Sequence, residues 1–232
     1  MTPVPEEIRA ARLAAPDMRD RDLADKLGIS EAALLAAHLG RGVTAIAAHP
    51  DRVIPAAIAL GEIMALTRNE SCVIEKDGRY DNYHPGPHAA MVLTEAIDLR
   101  IFPAHWLHAF AVERETPQGL RRSLQVFDAA GDAVHKIFLR EGSDQGAWAG
   151  VLDGLRIEGS EAPDFAARPP EEAPRSNADK LDILRAEWTR MTDTHQFLRL
   201  TSKLKMNRLG AYRIAGRPFV RPLAVSAVDT ML

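Results

Sequence analysis

The chain has 232 residues, of which 46% are hydrophobic and 26% charged, with a net charge of −3 and a pI near 6.2. These values predict a globular protein of one large or two small domains, and the lack of a basic excess argues against nucleic acid as the main partner. The single cysteine, Cys72, excludes an internal disulfide and a cysteine-based zinc site. The N-terminus lacks the apolar segment of a secretory signal, and no apolar run reaches the roughly 20 residues of a membrane span, so we expect a cytoplasmic protein without stable membrane insertion.

Residues 5–40 carry apolar side chains at helical spacing, with a turn at Gly28 and Ser30 as the N-cap of the next helix. This pattern resembles a helix-turn-helix, so one interpretation is a DNA-binding regulator. The second helix, SEAALLAAHLG, offers no Arg, Lys, Asn or Gln to bases or phosphates. We therefore favour helices that pack against the rest of the protein.

Residues 43–156 show a second pattern, in which short apolar segments alternate with turn signals. Residues 43–49 predict a strand, and residues 50–61 predict a helix despite Pro55. The segments that follow predict an antiparallel meander, interrupted by a polar loop over residues 78–88. The predicted fold class is therefore α+β, with N-terminal helices, a large antiparallel sheet of about eight or nine strands, and further helices.

The first domain is expected to end with a helix over residues 143–155, capped by Ser143 or Asp144. This sets the predicted domain at residues 1–156. Residues 157–178 are acidic, rich in proline and without periodicity, which is typical of a linker.

A weak internal repeat follows the linker. Residues 203–208 and the helix after them align with residues 26–31 and their helix, at an offset of 177 residues. Residues 179–232 are therefore interpreted as the helical start of a second repeat, whose sheet would have to follow residue 232. We expect a truncated tandem duplication, either a truncated gene product or a chain expressed without its second half.

The final helices expose apolar side chains that a second sheet would normally cover, so we expect a homodimer or aggregation in solution. These side chains are Leu223, Val225, Val228 and Leu232.

The stretch around His195 carries the pattern with the most chemistry. Asp193, with Gln196 three positions later, predicts a helix N-cap and its reciprocal partner. His195 would then lie in the first turn, where the helix dipole disfavours a charged imidazole and leaves a neutral ring that can ligate haem iron. The alternative is a surface or capping histidine. Asn207 predicts a further N-cap, after which Arg208 could turn back towards His195 and meet a carboxylate.

Three segments, EAIDLRIFPAHW, LRRSLQVFDAAGDAVHKIFLR and MTDTHQFLRLTSKLKMNR, resemble the bacterial haemin-degrading or haem-trafficking family. The resemblance covers essentially the whole chain. That family is a tandem duplication in which each half is a large antiparallel sheet with helices. The resemblance implies that this chain corresponds to the whole first half and the opening helices of the second.

The resemblance also assigns roles to individual residues. It implies that His195 is the axial ligand of the iron in haem b, iron protoporphyrin IX, and that Arg208 binds a propionate, with Lys203 a further candidate. It implies that Arg100 lies on the distal side, with Phe102 beside the pocket, and that haem lies between the first sheet and the helices of the second half. Strand alternation places Arg100 and Phe102 on one face, as such a site requires. A lysine and a tyrosine of the family's pocket belong to the second sheet and have no counterpart here.

The remaining histidines have less specific interpretations. His84 or His88, in the polar loop, is an alternative as a second haem contact. His105 and His108 are expected to be structural or at the surface, and His135 to be packed or paired across the sheet.

The function implied by the resemblance is a cytoplasmic haem-binding protein of bacterial haem-iron uptake, which receives haem for transfer, storage or oxidative degradation. The implied partners are haem itself and either the cytoplasmic side of a haem importer or a haem oxygenase. Whether the protein degrades haem or only carries it stays open on the sequence. The alternatives are a helix-turn-helix regulator and a truncated remnant that no longer binds haem.

Overall fold

The computed structural model describes residues 3–70, 72–158, 162–194 and 196–227. The chain divides into two compact units, residues 1–168 and 169–232. The first unit contains helices α1 Pro5–Ala14, α2 Asp20–Leu27, α3 Glu31–Ala36, α4 Pro50–Ile58 and α5 Trp148–Leu155. Its strands are β1 Val43–Ala45, β2 Gly61–Arg68, β3 Val73–Gly78, β4 Tyr83–His84, β5 Ala90–Leu93, β6 Asp98–Ile101, β7 His108–Thr116, β8 Gly119–Phe127 and β9 Ala133–Ser143.

The strands form two antiparallel sheets, which confirms the predicted α+β class. Six strands lie in the order β1-β7-β8-β9-β2-β3, and three lie in the order β4-β5-β6. The sequence predicted one sheet of about eight or nine strands, and the structure instead divides nine described strands between two. The division follows β3, where a side chain at Gly78 would approach the Ala96 Cβ to 2.9 Å, so the turn before β6 packs directly on the end of β3.

The polar loop predicted over residues 78–88 needs one correction. It contains β4, whose two residues pair with β5 through Tyr83 opposite Val92 and His84 opposite Met91. A strand of two residues has too few positions for the alternation that identifies strands in a sequence.

The larger sheet is covered by apolar groups on both faces. Along β7, Ala109 and Ala111 belong to one buried cluster with α4, α5 and the small sheet, whereas Phe110 and Val112 belong to another with α1 to α3. Alternate side chains of a strand point to opposite faces, so β7 is buried on both sides. This explains why residues 109–112, AFAV, form an unbroken apolar run within β7.

The helix-turn-helix-like segment forms the helices predicted for it. Gly28, with φ of 67°, ends α2, and the Ser30 hydroxyl accepts a hydrogen bond from the Ala33 backbone N–H at 3.2 Å. The carboxylate of Glu31 is buried and paired with Arg68 and Lys136 of the larger sheet. The five buried residues of α3 are Glu31, Ala32, Leu34, Leu35 and Ala36. A helix buried to this extent cannot enter a DNA groove in this fold, so the structure does not support the DNA-binding alternative.

The predicted linker lies across the boundary between the two units. In the first unit, the Ala166 backbone N–H donates to the Ala129 carbonyl at 2.8 Å, and Arg168 pairs with Asp132 at 2.7 Å. The boundary between residues 168 and 169 falls inside the segment predicted as a linker, and the described residues from 162 to 177 form no helix or strand.

The described residues of the second unit include a short 3-10 helix, Ala178–Lys180, and the α-helices α6 Leu181–Thr189, α7 Gln196–Lys203 and α8 Arg208–Ala215. They enclose a small apolar core of their own, which includes Leu184, Phe197, Leu200, Leu204, Met206, Ala211 and Ala215. Among the described residues of either unit, no helix is long and apolar enough to cross a membrane.

Candidate functional site

The predicted iron ligand, His195, lies outside the described residues, so its geometry stays a prediction. The residues on either side of it are described. The Gln196 side chain accepts a hydrogen bond from the Thr192 backbone N–H at 3.2 Å and donates to the Thr192 hydroxyl at 3.1 Å. The described part of helix α7 starts at Gln196, and the predicted cap at Asp193 stays a prediction.

An aromatic cluster lies next to this turn and is formed by Trp188, Phe197, Tyr212 and Phe219. The Phe197 ring lies 4.4 Å from the Trp188 ring and is stacked on the Tyr212 ring at 5.3 Å, with 11° between the ring planes. The Trp188 ring also contacts Phe219 at 5.2 Å. Flat apolar groups of this kind suit the face of a porphyrin, and Phe197 follows His195 by two positions. The sequence did not show that the rings of Trp188 and Tyr212 contact Phe197.

Arg208 is the first residue of α8 and is exposed. Asn207 caps this helix as predicted, since its side-chain oxygen accepts from the Gly210 backbone N–H at 2.8 Å. The Asn207 amide also donates to the Ala173 carbonyl at 2.8 Å, which holds the start of α8 against the preceding segment. Within the part of the chain that the structure describes, neither Arg208 nor the exposed Lys203 forms an ion pair. Both cations are therefore available to an anionic ligand.

The segment that contains Arg208 and Lys203 carries basic side chains and no acidic ones. The basic segment, residues 196–227, contains no aspartate or glutamate. Its cations are Arg199, Lys203, Lys205, Arg208, Arg213, Arg217 and Arg221. The whole chain has a net charge of −3, so positive charge is concentrated in this unit and favours binding of carboxylates there.

Arg100 of β6 and Phe102, the residue directly after this strand, are exposed on the same side of the chain, as the alternation predicted. Asp98, Arg100 and Phe102 are exposed, whereas Ile101 is buried and Leu99 partly buried. Phe102 retains 44% exposure, which leaves its ring available for contact with a ligand.

The pairing of strands brings two further side chains to this face. Met91 lies directly opposite Arg100, and His84 lies directly opposite Met91, so the three residues form one row across the small sheet. Directly opposite residues project to the same face of a sheet. The sequence singled out His84 and Arg100 separately, and it did not indicate that Met91 joins them.

The orientation of His84 is set by Asn82. The Asn82 amide nitrogen donates to the Leu93 carbonyl at 2.9 Å, which leaves its oxygen to face His84 Nε2 at 2.8 Å. The proton of a neutral His84 ring is therefore placed on Nε2, and Nδ1 remains the acceptor. His88 is exposed. A second haem contact at either residue stays a prediction.

His135 is part of the core, as expected for a packed histidine. Its Nε2 is hydrogen-bonded to the Tyr80 hydroxyl at 2.5 Å and its Nδ1 to the Thr67 hydroxyl at 2.8 Å. The ring is stacked on Trp106 at 5.6 Å. Complete burial lowers the pKa of His135 from 6.5 to about 4, so the ring is neutral at pH 7.

Comparison with known proteins supports the resemblance in the sequence. A family model described as the haemin-degrading HemS.ChuX domain matches residues 28–155. The hemin transport protein HmuS of Yersinia pestis is 36% identical over 207 residues, which cover 89% of this chain and 60% of that protein. The chain therefore spans about three fifths of the length of this relative.

Two solved structures share the fold over most of the chain. The holo form of PhuS, a heme-binding protein from Pseudomonas aeruginosa, superposes with a TM-score of 0.83 and is 37% identical, over 92% of this chain and 64% of that chain. ChuS, described as an E. coli heme oxygenase, has a TM-score of 0.76 and 28% identity, over 90% of this chain and 62% of that chain. Because the family model covers more than half of its residues, the chain belongs to the haemin-degrading HemS/ChuX family.

Proposed function

We propose that this chain binds haem b, iron protoporphyrin IX, in the bacterial cytoplasm, as part of the use of imported haem as an iron source. Family membership supports this proposal, together with relatives named for hemin transport and heme binding. The observation that carries it for this chain is in the second unit. There an aromatic cluster lies next to the turn that precedes α7, and Arg208 at the start of α8 has no ion-pair partner among the described residues.

His195 is the proposed axial ligand. A neutral imidazole nitrogen is a common ligand of haem iron, and the adjoining aromatic cluster provides an apolar surface for the porphyrin. Phe197 and Leu200 are buried in the core of the second unit, so this surface is held in place by packing. When bound, the haem supplies an iron centre that can react with dioxygen or peroxide.

Arg208 is the proposed contact of a haem propionate, with Lys203 as the weaker candidate. An arginine can hold a carboxylate through two parallel N–H donors, whereas a lysine acts as a single point charge. Arg208 also lies at the N-terminus of α8, where the helix dipole favours an anion.

Arg100 and Phe102 are proposed to act on the distal side of the haem. Their common exposed face offers a cation and an aromatic ring together, and Met91 lies opposite Arg100 on the same face. A cation at this position would affect ligands that bind the iron more than the affinity of the porphyrin itself.

Transfer and degradation of haem are both consistent with the relatives, since PhuS is described as heme-binding and ChuS as a heme oxygenase. The proposed partners are accordingly the cytoplasmic side of a haem importer or a separate haem oxygenase. Incubation of the loaded chain with a reductant, dioxygen and catalase separates these roles. Degradation predicts an open-chain tetrapyrrole and released iron, whereas transfer predicts intact haem that moves to an acceptor protein.

Homodimer formation is also proposed. Of the apolar residues predicted to be uncovered, Leu223 is 63% and Val225 is 88% exposed, while Val228 and Leu232 lie outside the described residues. Sedimentation at tens of micromolar tests this proposal, and a monomer at that concentration would contradict it.

Haem titration of the 232-residue chain, followed in the Soret band, tests the proposed function directly. We expect saturable binding with one low-spin spectrum, and His195→Ala should abolish that spectrum or leave a weak, heterogeneous one. His105→Ala, which removes an exposed histidine of the first unit, is the matched control. A wild-type chain that binds no haem would instead support the alternative of a remnant that has lost binding. An unchanged spectrum in His195→Ala would place the ligand elsewhere, with His84 and His88 as the first candidates.

A further inference from the structure

Tyr212 differs from the other members of the aromatic cluster because it has both an exposed ring and a hydrogen-bonding group. The residue is 39% exposed, whereas Phe197 is buried. Within the described residues, the Tyr212 hydroxyl has no hydrogen-bond partner. Packing in the cluster requires only the ring, so a phenylalanine would serve there equally well. The hydroxyl is therefore the part of Tyr212 that the internal packing does not explain.

The position of Tyr212 on α8 relates it to Arg208. The two residues are four positions apart, so their side chains lie on the same face of the helix. Side chains in an α-helix lean towards the N-terminus, which directs the Tyr212 ring over the turn that begins with Arg208. Parallel stacking on Phe197, at 5.3 Å and 11°, restricts rotation of the Tyr212 ring.

The charges around this pair favour an anion. Arg208 has no ion-pair partner among the described residues, and the basic segment that contains both residues has no acidic side chain. A guanidinium can hold a carboxylate through two N–H donors, and a nearby phenol O–H can donate to a remaining lone pair of the same group. The aromatic side of the cluster would at the same time exclude water from one side of the carboxylate.

We propose that the Tyr212 hydroxyl donates to the haem propionate that Arg208 binds, so that the two side chains form a carboxylate clamp at the start of α8. This inference rests on the proposed function and adds a residue to it. In this arrangement Tyr212 is a positioning residue, since it fixes the carboxylate and has no contact with the iron. The clamp recognises the propionate and not the porphyrin ring.

The test compares two ligands in each variant. Ferric haem carries both propionates, whereas its dimethyl ester has the same ring and iron but no carboxylate. Dissociation constants for both are measured by Soret titration, with quenching of tryptophan fluorescence as a second readout. The variants are Tyr212→Phe, which keeps the stacked ring, and Tyr83→Phe as the control. The hydroxyl of Tyr83 donates to Asp51 in the first unit. Loss of folded protein lowers the apparent affinity for both ligands equally, so the ratio of the two constants is unaffected by it.

We expect Tyr212→Phe to weaken haem binding about 10- to 150-fold, the range for loss of a hydrogen bond to a charged group, and to leave binding of the dimethyl ester unchanged. Tyr83→Phe should leave both constants at their wild-type values. Equal affinity of wild type and Tyr212→Phe for haem would overturn the clamp alone, and so would an equal loss for haem and ester. A wild-type chain that binds neither ligand would overturn the proposed function and the clamp together.

Discussion

Protonation of His135 is predicted to destabilise the first unit in mild acid. The pKa of this histidine is 6.5 in a solvated chain and about 4 in the folded protein, because complete burial disfavours the charged ring. Between these two values the unfolded chain binds a proton at His135 and the folded chain does not. The free energy of unfolding therefore falls as the pH is lowered through 6.5, and this contribution levels off below about pH 4.

The magnitude follows from the separation of the two pKa values. A difference of one pH unit between the two pKa values corresponds to about 1.4 kcal/mol. Below about pH 4, His135 therefore lowers the free energy of unfolding by about 3.4 kcal/mol. Between pH 7.5 and pH 5.0 the expected loss from His135 alone is about 2 kcal/mol. The ring is fully buried between Tyr80, Thr67 and Trp106, so solvent does not screen the effect of burial on its protonation.

Urea unfolding at pH 7.5 and pH 5.0, followed by circular dichroism, measures this loss in the wild type and in His135→Gln. The variant is expected to be less stable at pH 7.5, because it loses the packing of the ring. Between pH 7.5 and pH 5.0, however, its free energy of unfolding should fall by about 2 kcal/mol less than that of the wild type. Comparison of the two proteins removes the contributions of carboxylates and of other histidines, including His108, whose pKa burial also lowers. An NMR titration that places the pKa of His135 near 6.5 in the folded protein would contradict this prediction, and so would the same pH dependence in both proteins.

Three further outcomes are expected. Arg208→Ala should weaken haem binding by about 1 to 3 kcal/mol without a change in the Soret spectrum. The control Arg213→Ala, on the same helix, should have little effect. Equal losses of affinity in the two variants would show that only the total charge of the segment matters. Arg100→Ala should alter azide binding and peroxide reactivity more than haem affinity. Wild-type rates of azide binding and of reaction with peroxide, measured by stopped-flow spectroscopy, would contradict a distal role of Arg100. Glu31→Ala should lower the free energy of unfolding by about 3 to 5 kcal/mol, because it leaves Lys136 buried without its carboxylate, and a change below 1 kcal/mol in urea would contradict that.

Local patterns in the sequence determined many of the helices and strands and several details of the candidate site. Ser30 and Asn207 cap their helices as predicted, because a cap depends on residues only three positions away. The common face of Arg100 and Phe102 follows from the two-residue period of a strand, which also needs no knowledge of the rest of the fold.

Only the tertiary structure decided which residues far apart in the sequence come into contact. Glu31 is paired with Lys136, which lies 105 residues away in the chain, and a local pattern could not distinguish this buried carboxylate from a solvated one. The end of β3 packs closely on Ala96 and Ile97 at Gly78, and the row of His84, Met91 and Arg100 depends on strand register. Periodicity shows which face of an element is apolar, but it does not show which other element covers that face. Contacts between such distant residues become visible only when the whole chain is packed.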